Sequence, residues 1–227
     1  SVKNPVVWKT SWENDSHQDY CSKTFNFHPF QYFDEDRGFD ESVLTDLHKV
    51  SLFMVFSSSN QSEVGTITLN NNEVVLTEKE VISRQHIAYK KKENLPTLLT
   101  YVEAFPSVSS LPAEVPSFLI GSKMVKDNWY EGGVAEVVLY DRLISKEQRR
   151  QVESYLSLKY GISLADSLDY FSSDGSLLWD FSNHGNFTHR LTGIGKDALG
   201  GLDQKQSHNL YDDFPLTIAV NGLSSMN

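Results

Sequence analysis

The feature that most constrains the fold is a strand followed by a capped helix within residues 131–163. Apolar side chains occupy both alternating faces of residues 133–140, as in a strand that is covered on at least one side. Ser145 and Gln148 have the spacing of a capping box, in which each side chain satisfies a backbone donor at the helix start. Gly161 supplies the left-handed residue that ends a helix. This stretch therefore predicts one core strand and one amphipathic helix.

Apolar runs separated by turn residues predict further strands. The aromatic residues between 25 and 33 predict a strand pair around His28-Pro29, and residues 50–57 are typical of a central strand. Residues 64–69 and 73–77 flank three asparagines, which tolerate the left-handed conformations of a hairpin turn. The remaining predicted strands are residues 81–89, 97–105 and 117–120, and in the tail residues 177–180, 191–194 and 216–220. Many short strands and a single helix predict an all-β fold, an antiparallel β-sandwich.

Charge and cysteine content exclude several classes of function. The formal net charge is -10, and the 20 basic residues are scattered apart from residues 90–92, which argues against nucleic acid or an anionic membrane as the main partner. No apolar run approaches 18 residues, so we expect no membrane insertion. Cys21 is the only cysteine, so neither an internal disulfide nor a cysteine-rich metal site can form. The chain begins Ser-Val-Lys, and we expect it to be part of a longer parent chain with other domains.

Residues in the second half of the chain carry a family resemblance. The run GGVAEVVLYD at residues 132–141, followed by YLSLKYGI at residues 155–162, resembles the end of a laminin G-like, concanavalin A-like jelly-roll domain of bacterial surface proteins. Residues 25–29 and 52–56 are similar to the early strands of that family. The resemblance implies a jelly roll of two antiparallel sheets and an extracellular or cell-surface location. Gly133 stands where many relatives carry an acidic residue, which weakens any inference of a cation or turn held by that acid.

The tail has a resemblance of its own. Segments at residues 170–175, 178–180, 193–197 and 202–207 are similar to a module that commonly follows such jelly rolls in cell-surface and secreted proteins of Bacteroidetes-type bacteria. We therefore expect three parts: an N-terminal arm at 1–24, a laminin G-like jelly roll at 25–167 and a β-rich companion segment at 168–227. The companion is too short to bury a core alone, so we expect it to pack on the jelly roll or to continue beyond residue 227.

The acidic residues do not form the pattern of a glycosidase. Such enzymes need two carboxyl groups about 5 to 10 Å apart, and residues two apart on a strand share a face. Glu136 has only valines as same-face neighbours, and the acidic pairs at 35–36 and 40–41 lie in a glycine-containing turn. We expect these acids to be solvated turn or rim charges, and Cys21 to be a small buried thiol. The sequence therefore predicts that the chain is not an enzyme, with a glycan-cleaving enzyme as the alternative.

The glycine-rich tail concentrates the oxygen ligands that calcium favours. The candidate ligands are Asp174, Asp180, Asn183, Asn186 and Asp197. The same residue types also form ordinary turns, and the twelve-residue calcium loop pattern is absent, so calcium binding and turn formation both stay open. His184 and His189 lie five positions apart without a third ligand in obvious reach, which makes zinc the weaker alternative.

A carbohydrate site needs an exposed aromatic ring with polar side chains beside it. The best candidates are Trp129 and Tyr130 with their neighbours Asp127, Asn128 and Glu131, and Trp12 comes second. The alternative is that this loop plugs the edge of the sandwich. We expect a non-catalytic binding or adhesion module whose ligand is a carbohydrate, or else another surface protein. A structural spacer without a specific ligand is the remaining alternative.

Overall fold

The computed structural model describes residues 8–9, 24–33, 39–42, 49–58, 63–69, 72–77, 80–83, 86–88, 95–105, 117–120, 130–164, 167–188, 191–209 and 216–223. The chain divides into two compact units. The sandwich unit comprises residues 1–10 and 31–143, and the C-terminal unit comprises residues 11–30 and 144–227. This division differs from the expected boundaries after residues 24 and 167, since the capped helix and the strand pair around His28 belong to the C-terminal unit.

The described strands are, in chain order, β1 (Trp8–Lys9), β2 (Thr24–Phe25), β3 (His28–Pro29), β4 (Gln31–Phe33), β5 (Phe39–Ser42), β6 (Lys49–Ser58), β7 (Glu63–Leu69), β8 (Asn72–Thr77), β9 (Glu80–Ile82), β10 (His86–Ala88), β11 (Thr97–Ala104), β12 (Ser117–Ile120), β13 (Gly132–Tyr140), β14 (Tyr170–Phe171), β15 (Leu177–Trp179), β16 (Gly195–Asp197), β17 (Leu202–Gln204), β18 (Gln206–His208) and β19 (Thr217–Ala219). The described helices are α1 (Lys146–Tyr160) and α2 (Phe181–His184). Strands predominate, and the protein has the predicted all-β class.

One antiparallel sheet of the sandwich unit contains β1, β4, β6, β11 and β13. β13 pairs with one edge of β6, and β11 pairs with the other edge. The consecutive side chains of Leu52, Phe53 and Met54 in β6 are all fully buried, so both faces of this strand are covered. The predicted central strand is confirmed, with β6 spanning Lys49–Ser58.

The second antiparallel sheet of the sandwich unit has its strands in the order β10-β9-β8-β7-β12-β5. The hairpin predicted around the asparagines is confirmed as β7 and β8. The single strand predicted at residues 81–89 is wrong, because β9 and β10 pair with each other and Ile82 lies opposite His86. The polar residues 83–85 interrupt the apolar run there and favour a reversal of the chain.

A hydrogen bond joins the two sheets of the sandwich unit at one edge. The hydroxyl of Ser83, directly after β9, donates to the carboxylate of Glu103 in β11 at 2.9 Å. The neighbouring hydroxyl of Tyr101 donates to the same carboxylate oxygen. The antiparallel β-sandwich predicted from the sequence is therefore the architecture of this unit.

Two acidic positions of the sandwich unit differ from expectation. Glu136 is fully buried and is not a solvated rim charge, because the side chains on both faces of β13 are covered. The acidic pair at 40–41 lies in β5, which pairs with β12, and not in a turn. The pair at 35–36 and Cys21 lie outside the described residues.

Helix α1 of the C-terminal unit has the predicted caps. The Ser145 hydroxyl accepts from the Gln148 backbone amide, and the Gln148 side chain accepts from the Ser145 backbone amide. Gly161 ends the helix in the left-handed conformation with φ of 66°. Leu156 and Tyr160 are buried along one stripe of the helix. Neither described helix is long and apolar enough to cross a membrane.

The tail folds as three small antiparallel pairs, β14–β15, β16–β17 and β18–β19. The strands predicted at 177–180 and 216–220 are confirmed. The strand predicted at 191–194 is wrong, because these residues form no backbone ladder with another strand among the described residues. The Gly193 backbone amide instead donates to the side-chain hydroxyl of Ser207 at 3.2 Å. The expectation of a single helix is also wrong. α2 is a second helix, whose four residues are too few to show an apolar period in the sequence.

Candidate functional site

The described residues of the C-terminal unit form an apolar groove with a volume of about 450 Å³. Helix α1 contributes Tyr155 and Leu158, which lie three residues apart and share a face of the helix. The other walls come from β14 to β17 and the turns between them. Their lining residues are Phe171, Ser172, Asp174, Leu178, Gly193, Ile194, Gly195, Lys196, Asp197, Ala198, Leu199, Leu202 and Gln204. We call this site the apolar groove.

Large apolar side chains stand exposed at the edge of the apolar groove. Leu178 is 54% exposed, Ile194 is 42% exposed and Leu199 is 76% exposed. Leu202, by contrast, is 9% exposed, and Tyr155 and Phe171 are half-buried. Exposed apolar side chains that surround a concavity mark a ligand groove or an interaction surface more often than an ordinary protein exterior.

Two carboxylates of the apolar groove are held by hydrogen bonds from their own turns. The Ser172 hydroxyl and the Ser176 backbone amide donate to Asp174 and lower its pKa to about 2. Partial burial alone would raise the pKa of Asp197, but backbone amides of Ser173 and Gly200, at 2.8 and 3.1 Å, donate to this carboxylate and lower its pKa. Both groups are therefore ionised at neutral pH.

The buried side chain of Gln204 is held in the wall of the apolar groove by two hydrogen bonds. Its Nε2 donates to the backbone oxygen of Leu158 at 2.9 Å and to that of Gly193 at 2.5 Å. The side chain is only 3% exposed. Because Leu158 lies near the end of α1, where carbonyl groups lack helical partners, Gln204 also satisfies a helix-end acceptor.

The predicted carbohydrate loop is described only at its end. Tyr130 is fully buried, and its hydroxyl donates to the backbone oxygens of Ser57 at 2.6 Å and Gly133 at 3.1 Å. Tyr130 is therefore a buried side chain at the edge of the sandwich and not an exposed aromatic surface for a sugar. The expectation that this residue belongs to a carbohydrate site is wrong. Glu131 is exposed and accepts from the Tyr32 hydroxyl at 3.0 Å. The other candidates, Trp12, Asp127, Asn128 and Trp129, lie outside the described residues.

The structure brings the predicted calcium ligands together only in part. Asp174 and Asp197 line the apolar groove, whereas Asp180 caps α2 and accepts from the Ser182 backbone amide and the Asn183 side chain. Asn186 is exposed beyond the end of α2. Within the described ranges no group of three or more His, Cys, Asp or Glu side chains is placed to hold a metal ion. His184 is exposed and faces the Trp179 ring at 6.4 Å, and His189 is not described.

Sequence patterns did not identify the apolar groove. Tyr155 belongs to the apolar stripe of α1, and helical periodicity does not distinguish a face that packs in the core from one that lines a groove. Leu178 lies in the short strand β15, and Leu199 lies in a turn-rich segment. Neither local pattern shows that a side chain lines a groove. Only the folded arrangement brings these residues together.

One family model matches the part of the chain that contains the groove. Residues 148–227 match a family model described as a domain of unknown function (DUF8202). No curated protein and no solved structure matches the chain significantly. The apolar groove is built entirely from residues of the matched segment. The groove is thus the feature through which the function of this segment can be tested.

Proposed function

We propose that the chain is a non-catalytic binding or adhesion module of a bacterial cell-surface or secreted protein, with the apolar groove as its ligand site. The observation that carries this proposal is the exposure of Leu178, Ile194 and Leu199 around the half-buried rings of Tyr155 and Phe171. A ligand in the groove would remove these apolar side chains from water, which is favourable in proportion to the area covered.

The ligand that we propose is a carbohydrate. A sugar presents an apolar ring face edged by hydroxyl groups, and Tyr155 and Phe171 offer aromatic surface for such a face. Asp174 and Asp197 are ionised acceptors for sugar hydroxyls, and the Lys196 ammonium is a donor. Aromatic surface beside charged hydrogen-bonding groups is the combination that carbohydrate recognition requires.

The state of the carboxylates favours binding over glycan cleavage. Glycoside hydrolysis needs one carboxylic acid that is protonated near neutral pH, and such a group has a raised pKa. Asp174 and Asp197 both have lowered pKa values, and their carboxylate oxygens accept hydrogen bonds from nearby backbone amides. This arrangement supports fixed acceptors for a ligand and not a general acid.

A second candidate function is adhesion to another polypeptide. It is favoured by the aliphatic character of the groove edge, since Leu178, Ile194 and Leu199 resemble the apolar contacts of protein interfaces more than a sugar platform. The lysine and carboxylates would then form a polar rim around an apolar contact.

Binding measurements on the full chain distinguish these functions. We expect the wild-type chain to bind members of an array of defined oligosaccharides, and Leu199→Ser to weaken that binding about tenfold, because the change removes apolar area at the groove edge. The matched control is Leu223→Ser, a 68% exposed leucine outside the groove lining, which we expect to bind as the wild type does. Binding to an apolar peptide but to no glycan would favour the second candidate. No binding to either would favour a structural spacer, and release of free sugar would favour an enzyme.

A further inference from the structure

The β2–β3 hairpin is connected to the C-terminal strands by a buried asparagine. Asn26 is fully buried. Its Nδ2 donates to the backbone oxygen of Lys159 at 2.9 Å and to the Ser207 hydroxyl at 3.1 Å. Its Oδ1 accepts from the His208 backbone amide at 2.6 Å. One side chain therefore links the end of α1 to β18.

A second polar contact of the hairpin reaches the wall of the apolar groove. The Nε2 of His28 lies 3.1 Å from the Oε1 of Gln204. Because the amide nitrogen of Gln204 faces two carbonyl oxygens, its Oε1 must face His28 as an acceptor. His28 therefore carries a proton on Nε2 and donates it to Gln204.

The turn of the hairpin adopts a backbone conformation that asparagine tolerates but that is costly for Phe27. Asn26 has φ of 49° and Phe27 has φ of 65°, and a bulky side chain rarely enters this left-handed region. The Phe27 ring packs edge-on against the His208 ring at 4.6 Å between centroids. Such strain persists where surrounding contacts over-determine the backbone, and the contacts of Asn26 and Phe27 are of that kind.

The segment at residues 204–209, which contacts the hairpin, buries polar side chains. Gln204, Ser207 and Asn209 are at most 3% exposed. Polar groups buried in this way are stable only when specific partners satisfy their hydrogen bonds. Asn26 and His28 supply partners for Ser207 and Gln204 from a segment that the family model does not include.

We propose that the β2–β3 hairpin is a built-in docking element that completes the module matched at residues 148–227. The folded module is then discontinuous in sequence. Its surface around residues 158–161 and 204–208 accepts a tight hairpin with asparagine at the first turn position. Through His28 the same element positions Gln204 and hence one wall of the apolar groove.

Hydrogen exchange on the full chain tests this proposal. Asn26→Gly keeps a residue that tolerates positive φ but removes every side-chain hydrogen bond of the asparagine. We expect amide exchange at residues 158–162 and 204–209 to accelerate about tenfold or more, because several buried hydrogen bonds are lost. Asn221→Gly is the matched control, since Asn221 is exposed and also has positive φ, at 62°, and this variant should exchange as the wild type does.

A milder variant keeps the test decisive if Asn26→Gly does not fold. His28→Phe retains a ring beside Tyr160, which lies 5.7 Å from His28, but removes the donor to Gln204. We expect this variant to accelerate exchange near residues 193 and 204 and to leave β6 and β11 unchanged. Wild-type exchange at 193–209 in either folded hairpin variant would overturn the proposal. Equal acceleration in the Asn221→Gly control, or acceleration spread evenly over β6 and β11, would overturn it as well.

Discussion

The backbone amide of His208 donates to the side-chain oxygen of Asn26 at 2.6 Å, although the two residues are 182 positions apart in the chain. The asparagine also donates to the Lys159 carbonyl at the end of α1. Two distant segments therefore share one buried polar centre, and the C-terminal unit depends on both.

Replacing the amide nitrogen of Asn26 by an oxygen should cause a large, pH-dependent loss of stability. Asn26→Asp puts a carboxylate against the Lys159 carbonyl, and we expect it to lower the free energy of unfolding by about 3 kcal/mol at pH 7. Burial near carbonyl oxygens raises the pKa of such an aspartate above its unfolded value, so its protonated form is the stable one. Stability should therefore recover as the pH falls from 7 to 4, as measured by urea unfolding. A loss that is the same at both pH values would contradict the assignment.

The helix end beside Asn26 should tolerate no side chain at Gly161. A Cβ there would lie 2.8 Å from the His208 backbone oxygen, and Gly161 also has positive φ. Gly201 is the matched control, because its φ is 70° and a Cβ there would meet no atom of the described residues within 4 Å. We expect Gly201→Ala to cost about 1 to 2 kcal/mol from backbone conformation alone. Gly161→Ala should cost at least about 1 kcal/mol more, because of the added clash. Equal costs of the two substitutions in chemical denaturation would contradict the predicted clash between a Cβ at Gly161 and the His208 backbone oxygen.

The plug role of Tyr130 predicts a loss of stability without a loss of binding. Tyr130→Phe leaves the ring buried but removes the donor to the Ser57 and Gly133 carbonyls, which should cost about 1 to 2 kcal/mol. Tyr32→Phe is the control, because the Tyr32 hydroxyl bonds to Glu131 at an exposed position and should contribute about 0.5 kcal/mol or less. Thermal unfolding measures both. A Tyr130→Phe variant that keeps full stability but no longer binds ligand would contradict the purely structural role of Tyr130 and indicate that it belongs to the binding site.

The turn that holds Asp174 should make the C-terminal unit sensitive to acid. The folded state lowers the pKa of Asp174 from 3.8 to about 2, so this carboxylate contributes stability above pH 4 that is lost as the pH falls towards 2. Ser172→Ala removes the hydroxyl that contributes most to this shift, and the pKa of Asp174 should move back towards 3.8. NMR titration of the side-chain carboxyl carbon measures the shift directly. An unchanged titration midpoint in Ser172→Ala would contradict the hydrogen bond.

Short-range patterns predicted most of the fold, because their causes lie within a few residues. The capping box of Ser145, the left-handed Gly161 and the apolar run of β6 each follow from neighbouring side chains. The burial of Tyr130 was harder to predict from the sequence, since an aromatic residue before a core strand can either be buried at the edge of the sandwich or be exposed to bind a ligand. Sequence alone left that choice open.

The long-range polar contacts of the C-terminal unit could not be predicted from the sequence. Asn26 has the residue type of a turn, and nothing near it indicates that its amide meets His208 and Lys159. The apolar groove was missed for a related reason, because Leu178 and Leu199 gain their meaning only from the walls that surround them. Both features arise from segments brought together by the fold and not from any one segment.

The most direct measurement of the central claim is a map of where ligand binds on the full chain. In amide-resolved NMR spectra recorded with a pool of defined oligosaccharides, we expect the largest shifts at Leu178, Ile194 and Leu199, with smaller shifts at Gln204. Shifts confined to Glu131 and its neighbours, or none in the apolar groove while the pool is bound elsewhere, would contradict the assignment of the groove as the ligand site.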